Sequence, residues 1–208
     1  MKNVKGKRKG FLVCVEGLDG CGKTTQTRLL VERLTKNGYA AEYTAEPSSG
    51  KIGLFIREYC LHCEQRGSSV IEALLFAADR SDHVESCIRP ALKKGKTVVS
   101  DRYIYSSLAY QGATGLDSRW IKEVNKHAIH PDFAVFIDVE PEIVVQRLKR
   151  ERSVMETLET QQNVREIYMR FVKKRELVRV DGNRSRQEVA DDILMVVSEF
   201  LTSATKKS

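Results

Sequence analysis

The run Gly17-Leu18-Asp19-Gly20-Cys21-Gly22-Lys23-Thr24 satisfies G-x-x-x-x-G-K-[ST] and follows directly on the apolar stretch Phe11-Leu12-Val13-Cys14-Val15. A strand that ends in such a loop and passes into a helix makes a nucleotide phosphate site. The glycines let backbone N–H groups turn inward on phosphate oxygens, Lys23 adds a point charge between the outer phosphates, and the Thr24 hydroxyl can ligate Mg2+. The helix that starts here adds the positive end of its dipole. A dinucleotide loop is disfavoured, because the spacing is not G-x-G-x-x-G.

The strand-like runs Phe11–Glu16, Ala40–Thr44, Thr97–Ser100 and Phe133–Val139 are short and apolar, with helical pattern between them. Such alternation predicts an α/β fold, a parallel sheet covered by helices on both faces. The first helix is expected from about Lys23 to Lys36, stopping at Asn37-Gly38. A longer one is expected from Ser69, with Ser69-x-x-Glu72 as a capping box, to about Lys94-Gly95, with Pro90 as a possible kink. Pro141 fits the first turn of a helix reaching Arg150, and Ser185-x-x-Glu188 caps a last helix ending near Thr202.

With 208 residues and 41% hydrophobic content, residues 10–203 suffice for one well-buried domain behind a basic tail at 1–9. No stretch reaches the roughly 18 apolar residues of a membrane span, and the expected compartment is the cytoplasm. Five cysteines fit reduced thiols better than a disulfide framework. Cys60-x-x-Cys63 has no second pair nearby to complete a zinc site. A formal charge of +7 suits acidic small substrates and would suit nucleic acid too. No aromatic residue interleaves the tail charges, so the tail reads as a solvated arm rather than a nucleic-acid anchor.

Between Glu151 and Thr160 apolar periodicity lapses, and Arg147, Arg150 and Arg152 precede or enter the stretch. Beside a phosphate loop, an Arg-rich flap at 147–160 can close over a transferring phosphoryl group and stabilise its spreading charge. Asp101-Arg102-Tyr103 ends the third strand, where ligands of such sheets gather. Asp101 can hold a Mg2+-bound water or orient the acceptor, and Arg102 can grip an acceptor phosphate. The alternative at this point is a structural Asp–Arg ion pair. Phe76 and Arg80 are four apart, as are Ser107 and Gln111. An aromatic face with a forked donor and an amide is what a planar pyrimidine needs.

These residues together resemble one family. Gly17 to Thr25, Glu46-Pro47, Leu75-Phe76-Ala77-Ala78-Asp79-Arg80, Asp101-Arg102-Tyr103 and Ser107-Leu108-Ala109-Tyr110-Gln111-Gly112 are similar to the motifs of thymidylate kinases, in that family's order. The resemblance runs from about Gly10 to Leu201 and implies the P-loop NTPase-type sheet of the nucleoside monophosphate kinases. It implies transfer from ATP with Mg2+ to dTMP, and a homodimer packed through helices. Gly17, Leu18, Asp19, Gly20, Cys21, Gly22, Lys23, Thr24 and Thr25 would hold ATP, with Thr24 and Asp101 toward the metal. Phe76 would stack on thymine, Arg80, Ser107 and Gln111 would read its edge, and Tyr110 would lie by the deoxyribose. Arg57 and Arg102 would hold the acceptor phosphate, beside Glu46 and Pro47. Lys23, Asp19, Asp101, Arg102 and the lid residues Arg147, Arg150 and Arg152 would serve the transfer.

Two departures stand out. Ala45 occupies a position where many members carry Arg, and the lid has Val154-Met155-Glu156 in place of an Asp-Arg-aromatic-Glu run. Two other readings stay open from the residues alone: a deoxynucleoside kinase or another nucleoside monophosphate kinase of the same fold, and a non-catalytic nucleotide-sensing or nucleic-acid-binding module.

Overall fold

The computed structural model describes residues 9–61, 67–147 and 157–206. Strand β1 (Phe11–Gly17) is buried along its whole length. Side chains alternate between the two faces of a strand, so a strand without an exposed residue must be covered on both sides. The apolar run before the phosphate loop therefore lies at the centre of the sheet. It pairs in parallel with β3 (Thr97–Asp101) on one side and β4 (Phe133–Asp138) on the other. Outside these lie β2 (Ala41–Ala45) and β5 (Val178–Asp181), completing the order β2-β3-β1-β4-β5 with every pairing parallel. The register sets Cys14 beside Ser100 and Val15 beside Asp101, so β3 ends two residues short of β1 at the same edge of the sheet.

Helices α1 (Lys23–Lys36) and α9 (Arg186–Lys206) pack together over one face. The other layer holds α3 (Ser69–His83), α5 (Ile104–Ala113), α6 (Ser118–Val124) and α8 (Leu158–Lys173), with α5 against α8. The short helices α2 (Lys51–Ile56), α4 (Arg89–Lys93) and α7 (Pro141–Arg147) complete the described chain. The α/β parallel-sheet expectation and its four strands are borne out to within a residue or so at each end.

Where the chain departs from the sequence reading, the backbone gives the reason. The cap of α3 is Ser68 rather than Ser69: its hydroxyl accepts the Val70 N–H at 3.3 Å. The long helix is three pieces, with a π-helical turn at Val84–Ile88 between α3 and α4. Pro90 lacks an N–H and crowds the carbonyl four residues back, and the wider turn before it accommodates that. At α9 the capping box forms as expected, Ser185 N–H to Glu188 Oε2 at 3.0 Å and Glu188 N–H to Ser185 Oγ at 3.3 Å, but the helix runs on to Lys206. Helix α8 and β5 were not anticipated. The buried stripe of α8 is Gln161, Val164, Tyr168 and Phe171, two of them polar, and β5 is a four-residue edge strand. Helix α8 begins at Leu158, inside the expected flap; the rest of the flap beyond Arg147 and before Thr157 lies outside the described residues.

One loop fixes the edge of the future site. After β2 the Glu46–Pro47 peptide is cis, and Ser48 is clamped by Asp79 of α3, which accepts its N–H at 2.7 Å and its hydroxyl at 2.6 Å. Gly53 of α2 packs against this clamp so closely that a Cβ there would stand 2.1 Å from the Ser48 carbonyl oxygen. Gly53→Ala is expected to cost about 1–3 kcal/mol of stability, read from urea denaturation. A stability equal to that of the parent would show that the loop yields freely.

Candidate active site

The glycines of the phosphate loop are needed for backbone reasons. Gly22, immediately before α1, has φ +96°, and a Cβ on Gly17 would lie 2.6 Å from Cys21 Sγ and 2.9 Å from the Ile137 carbonyl oxygen. Lys23 is buried and its Nζ donates to the Leu18 carbonyl at 2.6 Å, holding the ammonium under the loop. Next to it Thr24 donates its hydroxyl to Asp101 Oδ2 at 2.5 Å. The two residues expected toward the metal, one from α1 and one from the end of β3, thus meet directly.

Arg102 does not pair with its neighbour Asp101. Its Nη2 forms an ion pair with Asp19 of the phosphate loop, and its Nη1 donates to Ser106 Oγ at 2.9 Å. The guanidinium also lies over the Tyr110 ring, 5.0 Å from its centroid, and the Tyr110 hydroxyl accepts the Asp19 N–H at 3.0 Å. Burial alone would raise the Asp19 carboxyl; Arg102 and then Lys23 outweigh it and hold that carboxyl below its ordinary range. Burial disfavours charge on Arg102, yet Asp19 holds it protonated well above an ordinary arginine.

Arg57 starts the π-helical turn after α2 and donates from Nη1 to Ser48 O at 2.5 Å and from Nη2 to Pro47 O. Two of its five N–H groups are used, and the remainder are available to an anion. A cavity of about 470 Å³ is lined by both sets of residues: Asp19, Gly20, Gly22, Lys23, Thr24 and Thr25 from the phosphate loop, and Tyr43, Ala45, Glu46, Arg57, Asp101 and Arg102 from across it.

The expected base readers divide. Ser107, Tyr110 and Gln111 are buried on α5, and Gln111 Oε1 has no hydrogen-bond partner, an acceptor left over for a ligand. Phe76 is half-buried on α3. Arg80 is only 1% exposed and already engaged: with Glu46 Oε2 at 2.7 Å, Asn125 Oδ1 at 2.5 Å and the Tyr103 carbonyl at 3.2 Å. Its fork can spare one Nη1 hydrogen. Glu46 is held from its other oxygen by His83 Nδ1 at 3.2 Å, and His83 Nε2 meets Thr44 Oγ1 at 2.5 Å. Arg147 ends α7; Arg150 and Arg152 lie outside the described residues.

Several supporting residues escaped the sequence reading. His83 and Asn125 carry no motif of their own, and Asp79, though inside the Leu75–Arg80 motif, gave no sign of its clamp on Ser48. Glu16 did carry a signal, as the one acidic residue in an apolar strand. Cys60 sits buried in the π-helical turn, as expected of a helix residue, and Cys63 is outside the described residues.

A parallel sheet with a phosphate loop after β1 and a second cationic group at the end of β3 defines a P-loop kinase for a phosphorylated acceptor. A thymidylate kinase family model matches residues 15–193. A probable thymidylate kinase of Pyrococcus abyssi is 41% identical over 201 residues, covering 93% of this chain and 98% of the relative. A probable thymidylate kinase of Thermococcus gammatolerans is 39% identical over 206 residues, 93% of this chain and 99% of the relative. A thymidylate kinase of Caldanaerobacter subterraneus is 40% identical over 205 residues, 94% and 99%. The chain belongs to the thymidylate kinase family, and its reaction is the phosphorylation of dTMP to dTDP.

With Arg102 in the role the resemblance implies, Arg102→Ala is expected to lower kcat about 100- to 1,000-fold while the thermal melt stays cooperative. A mutant with near-parental kcat would remove Arg102 from the site.

Proposed function

We propose that the phosphate loop binds ATP, that Arg57 and Arg102 hold the 5′ phosphate of dTMP, and that the γ-phosphoryl group passes between them in line. The observation that carries this reading is the shared cavity: Lys23 and Thr24 line one wall, Arg57 and Arg102 the other. Two polyanions repel each other, and positioning with charge neutralisation is most of what a protein can contribute to this transfer. Arg57 and Arg102 bring the acceptor phosphate next to the donor, and Lys23 draws charge from the outer phosphates. Arg147, the last residue of α7, is the described member of the proposed lid trio; the roles proposed for Arg150 and Arg152 rest on the sequence resemblance alone.

The residues fit a Mg2+ ion. Thr24 Oγ1 and Asp101 Oδ2 are 2.5 Å apart at the cavity wall, a hard-oxygen pair of the kind that Mg2+ takes together with substrate phosphates and water. When bound there, the ion would supply positive charge to the substrate phosphates. The proposed roles on the acceptor side are stacking by Phe76, an edge acceptor from Gln111 Oε1, and donors from Arg80 and Ser107. Tyr110, tied to Asp19 and under Arg102, is proposed to close the sugar side, and Glu46 and Pro47 to border the acceptor phosphate.

A homodimer accounts for one surface. Val70, Ile71 and Leu74 of α3 are exposed on one flank, next to exposed Leu54 and Phe55 of α2. These two helices pack together, and a second copy of the chain is the proposed cover for their exposed apolar residues. No described helix is long and apolar enough to cross a membrane, and the substrates favour a cytoplasmic location.

The test of the reaction is ADP release from ATP in the presence of Mg2+ with a panel of nucleoside monophosphates. Strong release with dTMP is expected; release independent of any acceptor would count against transfer. Gln111→Ala should raise KM for dTMP about ten- to hundredfold and leave KM for ATP within about twofold, since an unmatched buried polar edge costs about 1–3 kcal/mol. Equal effects on both substrates would contradict the assignment. Leu74→Glu should convert a dimer to a monomer in sedimentation analysis, and an unchanged sedimentation coefficient would move the interface elsewhere.

A further inference from the structure

Glu16 is the last side chain of β1 before the phosphate loop and is wholly buried. Three donors converge on it. The Tyr103 N–H reaches Oε1 at 2.9 Å, and the hydroxyls of Ser106 and Tyr168 reach Oε2 at 2.7 and 2.9 Å. Ser106 has one hydrogen, and with that hydrogen committed to Glu16 its lone pairs face Arg102, whose Nη1 donates to it at 2.9 Å. A chain of donors therefore runs from Arg102 to Ser106 to Glu16, with the charge at each end polarising the hydroxyl between them.

The backbone of Arg102 is held from the same strand. Its φ of +70° lies in the left-handed region, which a non-glycine residue adopts only when its surroundings fix it. The Arg102 N–H donates to Val15 O at 3.0 Å, and Ser100 Oγ donates to Arg102 O at 2.6 Å. Val15 and Glu16, adjacent on β1, thus grip the backbone and the guanidinium of one residue. Tyr168 extends the grip to α8, where its ring stacks on Phe136 of β4 with centroids 4.7 Å apart.

We infer that Glu16 is a positioning residue for phosphoryl transfer, setting the Arg102 guanidinium through Ser106 and tying it through Tyr168 to α8. A carboxylate removed entirely from water is costly, and an apolar residue would fill the same volume without that cost. The three converging donors and the nearby guanidinium are the return: they fix one hydroxyl orientation that an apolar residue could not. Burial raises the Glu16 carboxyl above its ordinary range, while Ser106, Arg102 and Tyr168 oppose that rise. The inference rests on the assignment of Arg102 to the acceptor phosphate.

The experiment is a set of double-mutant cycles on the full chain, with kcat and both KM values measured per folded molecule. Glu16→Gln places an amide N–H2 where hydroxyls already donate, and should lower kcat about ten- to hundredfold with KM for ATP within about twofold. Tyr168→Phe deletes one hydroxyl and should lower kcat about three- to tenfold. In the Arg102→Ala background each should leave the residual rate within about twofold, because the group they position is gone. If Glu16→Gln does not fold, Tyr168→Phe and Ser106→Ala carry the same cycles. Parental kcat in the single variants, or an undiminished loss in the Arg102→Ala background, overturns the inference. A full-rate Arg102→Ala enzyme overturns the Arg102 assignment with it; a crippled one beside silent Glu16 and Tyr168 variants overturns the positioning role alone.

Discussion

Arg102 leaves the end of β3 and reaches across to Asp19 in the loop that follows β1. That ion pair joins the two halves of the site. Strands β1 and β3 are parallel neighbours that end within two residues of each other at one sheet edge, so the loop after one and the cation after the other face each other over a short gap. Partial burial removes the solvent screening that makes surface ion pairs weak, and the Tyr110 ring below the guanidinium limits its motion further. The pair still leaves Arg102 hydrogens for a phosphate, since a guanidinium carries five and Asp19 and Ser106 occupy two.

A second, deeper ion pair organises the wall proposed to face the acceptor. Arg80 and Glu46 are almost fully enclosed, and each of them has further partners: Asn125 and the Tyr103 carbonyl on Arg80, His83 on Glu46. Charges so far from water are tolerable only when every partner is in place. The consequence is a rigid wall between α3 and the end of β2, to which the Ser48–Asp79 clamp pins the loop that receives Arg57. Preorganisation of this kind matters for a transfer in which positioning supplies most of the rate. Arg80 is accordingly both a wall component and, through its remaining hydrogen, a candidate contact to the base edge.

The parts of this arrangement that were legible in the sequence are those that local chemistry dictates. The phosphate loop, α1 with its stop at Asn37-Gly38, and the reciprocal Ser185–Glu188 cap all follow from short-range rules, and all appear. Thr24 and Asp101 were each read toward a metal from their own motifs, while the direct hydrogen bond between them follows from the fold. What was not legible depends on long-range partners. The amphipathic stripe of α8 includes Gln161 and Tyr168, so it does not read as apolar, and Tyr168 makes sense only beside Glu16. The pairing of Arg102 with Asp19 rather than Asp101 likewise needs the β1–β3 register, which no spacing within either motif reveals.

The proposed site has two anion sockets, one for a triphosphate and one for a monophosphate, separate in composition and joined by the Asp19–Arg102 pair. Calorimetric titration of ATP and of dTMP into Lys23→Ala and Arg102→Ala proteins tests it most directly. Loss of ATP affinity with dTMP binding retained in the first, and the reverse in the second, is the predicted crossed pattern. A Lys23→Ala protein that loses dTMP as severely as ATP, or an Arg102→Ala protein that binds dTMP as tightly as its parent, would contradict the claim.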